Sequence, residues 1–183
     1  MLRIFIIFAM KIKNCNDKTD MEIKILTPTD RKAFFELSSA VVKALKHKEW
    51  LIPMTEEEAD VTFAEGSTDV VLGGFADGRL VATLGLFHDI RDYADYLPAE
   101  LHDMKGAEIG EAMVDPEMRR GGLMNELWQA LKDVIKKRDL DFLLATAHPD
   151  NISNHLMQKD DFQLHKVFER RGYLRNMYLK HIS

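Results

Sequence analysis

The sequence predicts an α+β fold: a mixed sheet with helices on its faces. Three observations predict it. Asp69 to Leu86 is the clearest β signal in the chain, where VVLGGFA and RLVATLGLF flank Asp77-Gly78, the turn dipeptide that two-residue hairpins favour. From Gly122 to Lys137 the apolar residues Leu123, Leu127, Leu131, Val134 and Ile135 recur at helical spacing. DFLLATA is an apolar run of the length and bounds expected of a buried strand.

The remaining elements follow in order. Glu22 to Leu26 reads as a first strand. Thr27-Pro28-Thr29-Asp30 starts a helix: Thr caps, Pro takes the first helical position and Asp30 completes a capping box. Phe34, Leu37, Val41 and Ala44 give that helix a buried face. A second helix starts at Thr55, and Glu56, Glu57 and Glu58 in its first turn complement the helix dipole. HDIRDYADYLPAELHDMKG reads as a loop holding a short helix, and AEIGEAMVDP as the next strand. Lys136, Lys137 and Arg138 close the Gly122 helix at its negative end. After DFLLATA come the loop HPDN, a helical region from Ser153 to Arg171, a cap at Gly172 and a last strand, YLRNMYLKHI. The predicted order is β-α-α-β-β-β-α-β-α-β.

A length of 183 residues, 46% hydrophobic and 30% charged, suits one soluble domain. The net charge of −5 supplies no basic field for nucleic acid. Cys15 is the sole cysteine, so no intramolecular disulfide forms, and a reducing, cytoplasmic home is expected. The start, MLRIFIIFAMKIK, has an apolar run far short of the roughly 20 residues that span a bilayer, and a polar segment rather than a cleavage site follows. Residues 1–20 are therefore read as a dispensable leader or a mis-assigned start, against an extra edge strand or a weak surface anchor, and 21–183 as a single domain with no membrane partner. His148 and His155 lack a third ligand type nearby and make a poor metal site, so no metal is expected.

The stretch VDPEMRRGGLMNEL, Val114 to Leu127, passes from strand to helix through paired arginines and paired glycines. A helix N-terminus presents unpaired N–H groups, glycines let an anion reach that backbone, and Arg119 and Arg120 add charge. The construction suits a phosphate or pyrophosphate; an ordinary turn with surface arginines is the equal alternative. No Gly-Lys-Ser/Thr follows as in a P-loop, and Gly-x-Gly-x-x-Gly is absent.

The stretch resembles the acyl-CoA-binding motif of GNAT-type N-acetyltransferases, Arg/Gln-x-x-Gly-x-Gly/Ala after a strand ending Val-x-Pro. Arg119 and Gly122 match its first two fixed positions, and Met124 takes the last, where the family prefers Gly or Ala. The order of elements agrees from roughly Met21 to Ile182. The resemblance implies an α/β/α layered GNAT-like fold, its sheet mostly antiparallel and its central strands, AEIGEAMV and DFLLATA, splayed. It implies acetyl-CoA as cosubstrate, with pantetheine pairing to backbone near Met113 and Val114 and pyrophosphate on the amides of Arg119, Arg120, Gly121, Gly122, Leu123 and Met124. The acceptor is then an amine of a small molecule or peptide, attacking the thioester in a ternary complex. Relatives commonly form homodimers, and that expectation carries over.

Glu111, on the signature strand where many relatives carry a glutamate, is the expected base; Glu108 is the alternative. Strand alternation would place Glu111 and Met113 on one face, and Ala112 and Val114 on the other. Relatives often place a Tyr acid in a terminal Tyr-x-x-x-Gly-Phe motif. Here the matching run is read at Phe168 to Tyr173, where Phe168 cannot donate a proton, so Tyr173, Ser153 or His155 is expected to substitute, or thiolate leaves unaided. The interval from Asn151 to Phe168 far exceeds that of the relatives, as if QKDDFQLHK were an insertion that breaks or lengthens the helix. Asn151 is read either as a pantetheine contact or as an Asx-turn. Trp50, Phe87, Tyr93 and Tyr96 sit where relatives build the acceptor pocket. The competing function is a non-catalytic acyl-CoA-binding or regulatory module.

Overall fold

Among the described residues, eight strands lie in the order β1-β2-β3-β4-β5-β6-β8-β7. The computed structural model describes residues 10–11 and 21–182. Strands are β1 (Met10–Lys11), β2 (Glu22–Ile25), β3 (Val70–Ala76), β4 (Arg79–Phe87), β5 (Gly106–Val114), β6 (Phe142–Ala147), β7 (Gln163–Arg170) and β8 (Tyr173–His181). Helices are α1 (Arg31–Ala44), α2 (Glu56–Thr62), α3 (Leu123–Ile135) and α4 (Ser153–Lys159). Among the described strands, only β5 and β6 pair in parallel; the other neighbours are antiparallel. Apart from β1, which pairs with Glu22 and Ile23, the expected leader and Cys15 lie outside the described residues. Among the described residues, no helix is long and apolar enough to cross a membrane.

The caps form where the sequence placed them. Asp30 accepts from the Thr27 backbone N–H at 3.0 Å, and a short 3₁₀ turn leads into α1. Thr55 and Glu58 close a reciprocal capping box on α2. Asp77 and Gly78 both take positive φ, 50° and 76°, as the hairpin between β3 and β4 requires. The connection after β4 coils into two 3₁₀ turns, Arg91–Tyr96 and Ala99–Leu101.

Both faces of the sheet are covered. On one, α3 packs Leu123, Leu127, Leu131 and Ile135 onto Val70, Leu72, Leu84 and Ile109. On the other, Phe34, Leu37 and Val41 of α1 meet Val71, Leu80 and Met113, while Tyr93 and Leu101 pack with Phe142 and Leu144. Alternate β6 residues thus belong to opposite clusters, which explains its unbroken apolar sequence. Ala44, expected in the α1 core face, is exposed, and Ser38 is buried instead.

One element departs from expectation. The region 153–171 is not a single helix: α4 stops at Lys159, and Gln163–Arg170 is strand β7. Asp161 ends the helix at φ 63°, and Phe162, 2% exposed, drops into the α3 core against Trp128. Lys132 holds Asp160 at 2.8 Å and Lys180 donates to its carbonyl, pinning the break. QKDDFQLHK therefore breaks the helix and starts an edge strand. Met157 to Phe162 has the same spacing as the Tyr-x-x-x-Gly-Phe pattern, with left-handed Asp161 at the Gly place, buried Phe162 at the Phe place and Met157 at the Tyr place.

Candidate active site

The site begins where two strands separate. Parallel pairing of β5 with β6 runs from Gly106 opposite Phe142 to Ile109 opposite Ala145 and then ends. Beyond it β5 stays with β4 as far as Val114 opposite Ala82, and β6 stays with β8 as far as Ala147 opposite Asn176. A wedge of backbone without ladder partners opens between them, along the edge that holds Met113 and Val114.

A bulge aims Glu111 into this region. Gly110 lies opposite Gly85 and Met113 opposite Thr83, so Glu111 and Ala112 together face Leu84. Glu111 takes φ 48°, and the buried Thr83 hydroxyl donates to its carbonyl at 2.8 Å. The bulge reverses the strand's alternation. Ala107 and Ile109 face α3, whereas Met113, an even number of residues further on, faces α1. Glu111 reaches the same α1–α2 side as Met113, but through the bulge rather than through regular alternation.

The Glu111 carboxyl is buried, and its Oε2 has no hydrogen-bond partner. Burial, followed by the charges of Glu108 and Glu58, pushes its pKa up to about 8; the Met54 backbone pulls weakly the other way. The neighbouring Glu108 is also pushed up, by burial above all, but it is wired. Tyr93 donates to its Oε1 at 2.5 Å, and the Arg170 guanidinium lies 3.6 Å away and donates to the Tyr93 hydroxyl.

A cavity of ≈ 430 Å³ opens over these carboxylates. One wall is the segment from Trp50 through α2, another is Glu108 to Glu111 with Phe87, and the rim carries Arg170, Arg171 and Arg175. A Cβ on Gly85 would lie 2.5 Å from the Phe87 ring, and one on Gly110 3.1 Å, so this glycine pair makes room for the ring over the strands. Arg171 pairs with Glu58 at 2.5 Å. A larger hollow, ≈ 880 Å³, lies outside α1 around Arg31, Phe35 and Lys43 and takes no residue from the sheet.

The arginine-glycine turn stands at the end of β5. Asp115, 5% exposed, pairs with Arg79 and accepts from the Glu117 N–H at 2.9 Å, and its own N–H donates to Val81. Arg120 and Gly122 then adopt φ 71° and 80°. Among the described residues, the amides from Arg119 to Met124 donate no hydrogen bond. Arg119 and Arg120 are exposed, and neither forms an ion pair with a described residue. A Cβ on Gly121 would sit 3.4 Å from the Met118 carbonyl, so bare backbone suits this bend. Unpaired amides, a helix N-terminus and two cations fit a pyrophosphate.

Other expected residues fall differently. Asn151 is engaged within the protein: its Nδ2 donates to the Trp50 carbonyl at 3.2 Å and its Oδ1 accepts from the Ser153 N–H at 3.0 Å, an Asx-turn. Tyr173, 45% exposed, begins β8 and is not in the cavity wall. Phe168 is buried against Tyr93 and Tyr96. Trp50 and Phe87 line the cavity; Tyr93 lies beneath it, and Tyr96 is not in its wall. Sequence reasoning missed Thr83, Asn154 and Arg175. Asn154 gathers the His148 and Pro149 carbonyls and accepts from the Tyr178 hydroxyl at 2.9 Å, fixing the HPDN loop. An asparagine inside a predicted helix, three residues after another, was its only signal. Among the described residues, no group of three or more His, Cys, Asp or Glu is placed to hold a metal.

Solved structures share this architecture. An N-acetyltransferase from Staphylococcus aureus Mu50 superposes with a TM-score of 0.67 at 17% identity, over 88% of this chain and 98% of that one. The ribosomal-protein-S18-alanine N-acetyltransferase from Escherichia coli gives 0.65 at 16%, over 89% and 94%. FeeM, an N-acyl amino acid synthase from uncultured soil microbes, gives 0.70 at 16%, over 88% and 90%. These identities support the shared fold alone. No curated protein matches the sequence. The family model for the acetyltransferase (GNAT) family does match, over residues 33–173, and the chain belongs to that family of acyl-transferring enzymes.

Proposed function

We propose that the protein transfers an acetyl group from acetyl-CoA to the amine of a small molecule or peptide by direct attack in a ternary complex. The observation that carries this reading is continuity. The free amides from Arg119 to Met124 lead along the unpaired edge of β5 to the buried Glu111 Oε2, which has no hydrogen-bond partner, and its cavity. Acyl-CoA laid along that path would bring its thioester towards the carboxyl. An ammonium, with a pKa near 10.4, must lose a proton before attack, and Glu111 in its ionised form takes it, directly or through water. The amine nitrogen bonds to the thioester carbon, the C–S bond breaks, the thiolate leaves, and the nitrogen's surplus proton passes to water or to the departed thiolate. A thiol pKa of about 8.5 makes that departure tolerable without an acid. None is in place at the terminal motif, because Met157 and Phe168 cannot donate and the Tyr178 hydroxyl is committed to Asn154. Cys15 as sole cysteine favours a reducing, cytoplasmic setting.

The missing acid also favours a second reading, a non-catalytic acyl-CoA-binding module. Thermal unfolding with acetyl-CoA, against AMP as control, tests the shared step. At one hundred times Kd a stabilisation of ~2.7 kcal/mol is expected. Turnover of an amine panel by wild type, lost in Glu111→Gln, selects the enzyme. Binding without turnover of any amine selects the module.

A further inference from the structure

Two buried groups of opposite charge type in one cavity are left unsatisfied, and together they describe the acceptor. One is Glu111 Oε2. The other is Arg175, only 3% exposed, whose Nη2 has no hydrogen-bond partner while Nη1 donates only to the Leu174 carbonyl at 2.9 Å. Its cavity neighbours are already paired. Arg171 holds Glu58, and Arg170 serves Tyr93, Glu108 and Asp92. Arg175 has no such partner within ion-pair distance among the described residues; its guanidinium lies 5.7 Å from the Tyr173 ring. Burial and the nearby Arg170 charge both work against its positive charge. A buried cation kept without a counter-ion is costly unless a ligand supplies one.

We propose that the acceptor is an amino carboxylate, its amine directed to Glu111 and its carboxylate bound by Arg175. This rests on the acetyltransferase reading of the same cavity. A planar guanidinium matches a carboxylate through parallel hydrogen bonds. Phosphate would also offer an anion, but the wall already carries Glu58 and Asp92, whose charges repel a dianion more strongly than a monoanion. A volume of ≈ 430 Å³ admits a free amino acid or a short peptide. Simple amines and amino acid amides would leave the buried guanidinium unpaired, and that penalty is the source of selectivity.

Matched pairs test it. Calorimetric binding to the protein saturated with CoA would compare L-amino acids, γ-aminobutyrate and a dipeptide with the carboxamide of each, and turnover would be measured for the same pairs. The carboxylate members of at least one pair are expected to bind about 100-fold more tightly than their amides. In Arg175→Met that ratio should collapse towards one, and Arg175→Lys should restore part of it. A purely structural Arg175 would weaken both members equally and leave the ratio intact, which overturns the proposal. Amides binding as well as acids, or no member binding at millimolar concentration, overturns it too. Carboxylate-selective binding with no acetylation would retain the Arg175 site and sink the acetyltransferase reading instead.

Discussion

The two ends of the β5–β6 wedge are built on opposite plans. The arginine-glycine turn is local: consecutive residues supply its amides, its left-handed bends and its exposed charges. The acceptor cavity is assembled from the Trp50–α2 segment, β4, β5, β6 and the β7–β8 strands, and its central charges are buried. An exposed arginine next to solvent is screened and contributes little on its own, whereas a buried carboxyl without a partner is strongly perturbed. Substitutions at the cavity end should therefore have larger effects than charge removal at the turn.

The largest expected effect is that of Glu111→Gln. As the proposed base, its loss should reduce kcat for amine acetylation about 10²–10³-fold, with little change in acetyl-CoA affinity by equilibrium binding. The wild-type kcat/KM should rise with pH through about 8 as the Glu111 carboxyl ionises, and that limb should vanish in the variant. Equal kcat in the two proteins would remove Glu111 from the chemistry.

The same group predicts a stability difference. Its folded pKa, about 8, stands above the ordinary carboxylate value, so its neutral form favours the folded state at low pH and that contribution is lost as pH rises through about 8. Denaturant unfolding should show wild type losing about 2–4 kcal/mol relative to Glu111→Gln between pH 4 and pH 9. Parallel pH curves would mean that the carboxyl is better solvated than its surroundings indicate.

Thr83→Val sharpens the comparison, since it removes the hydroxyl under the bulge and leaves the cavity wall chemically unchanged. A cost of about 1–3 kcal/mol is expected from the buried Glu111 carbonyl losing its donor, measurable by urea unfolding. Activity should fall through kcat. At the other end, Gly122→Ala meets φ 80° and should cost about 1–2 kcal/mol, with the functional loss in the KM for acetyl-CoA rather than for amine. Arg119→Ala is the mildest, a few-fold loss of acetyl-CoA affinity that diminishes as salt is raised. If Arg119→Ala matched Glu111→Gln in severity, the contrast between exposed and buried charge would fail.

The predicted elements that formed as read are those with local causes. Asp77-Gly78 carries its turn in its own backbone preferences, Thr55 and Glu58 cap α2 within one turn, and the α3 stripe is written in five apolar positions. The end of the chain departs from the helix its sequence predicts because Ser153 to Arg171 contains no proline or glycine to stop a helix; the stop is made by Asp161 in a left-handed conformation and by Phe162 finding Trp128 across the core. The same expectation placed the terminal motif at Phe168–Tyr173 and nominated Tyr173, which the fold leaves outside the cavity wall.

The candidate site divides the same way. The Arg119 to Met124 turn is legible because glycine, charge and helix start are adjacent in sequence. Local preference likewise sufficed for the class of fold, the hairpin, the caps and the family signature. Glu111 could be nominated from its place in a strand, but not its bulge, its Thr83 support or its elevated pKa, which depend on register with β4 and on charges more than fifty residues away at Glu58. Arg175 gave no signal at all, one basic residue in an alternating strand. Whether such a side chain meets solvent, a counter-ion or nothing depends on long-range packing, and burial without a partner is a property of the folded arrangement rather than of any neighbouring residue.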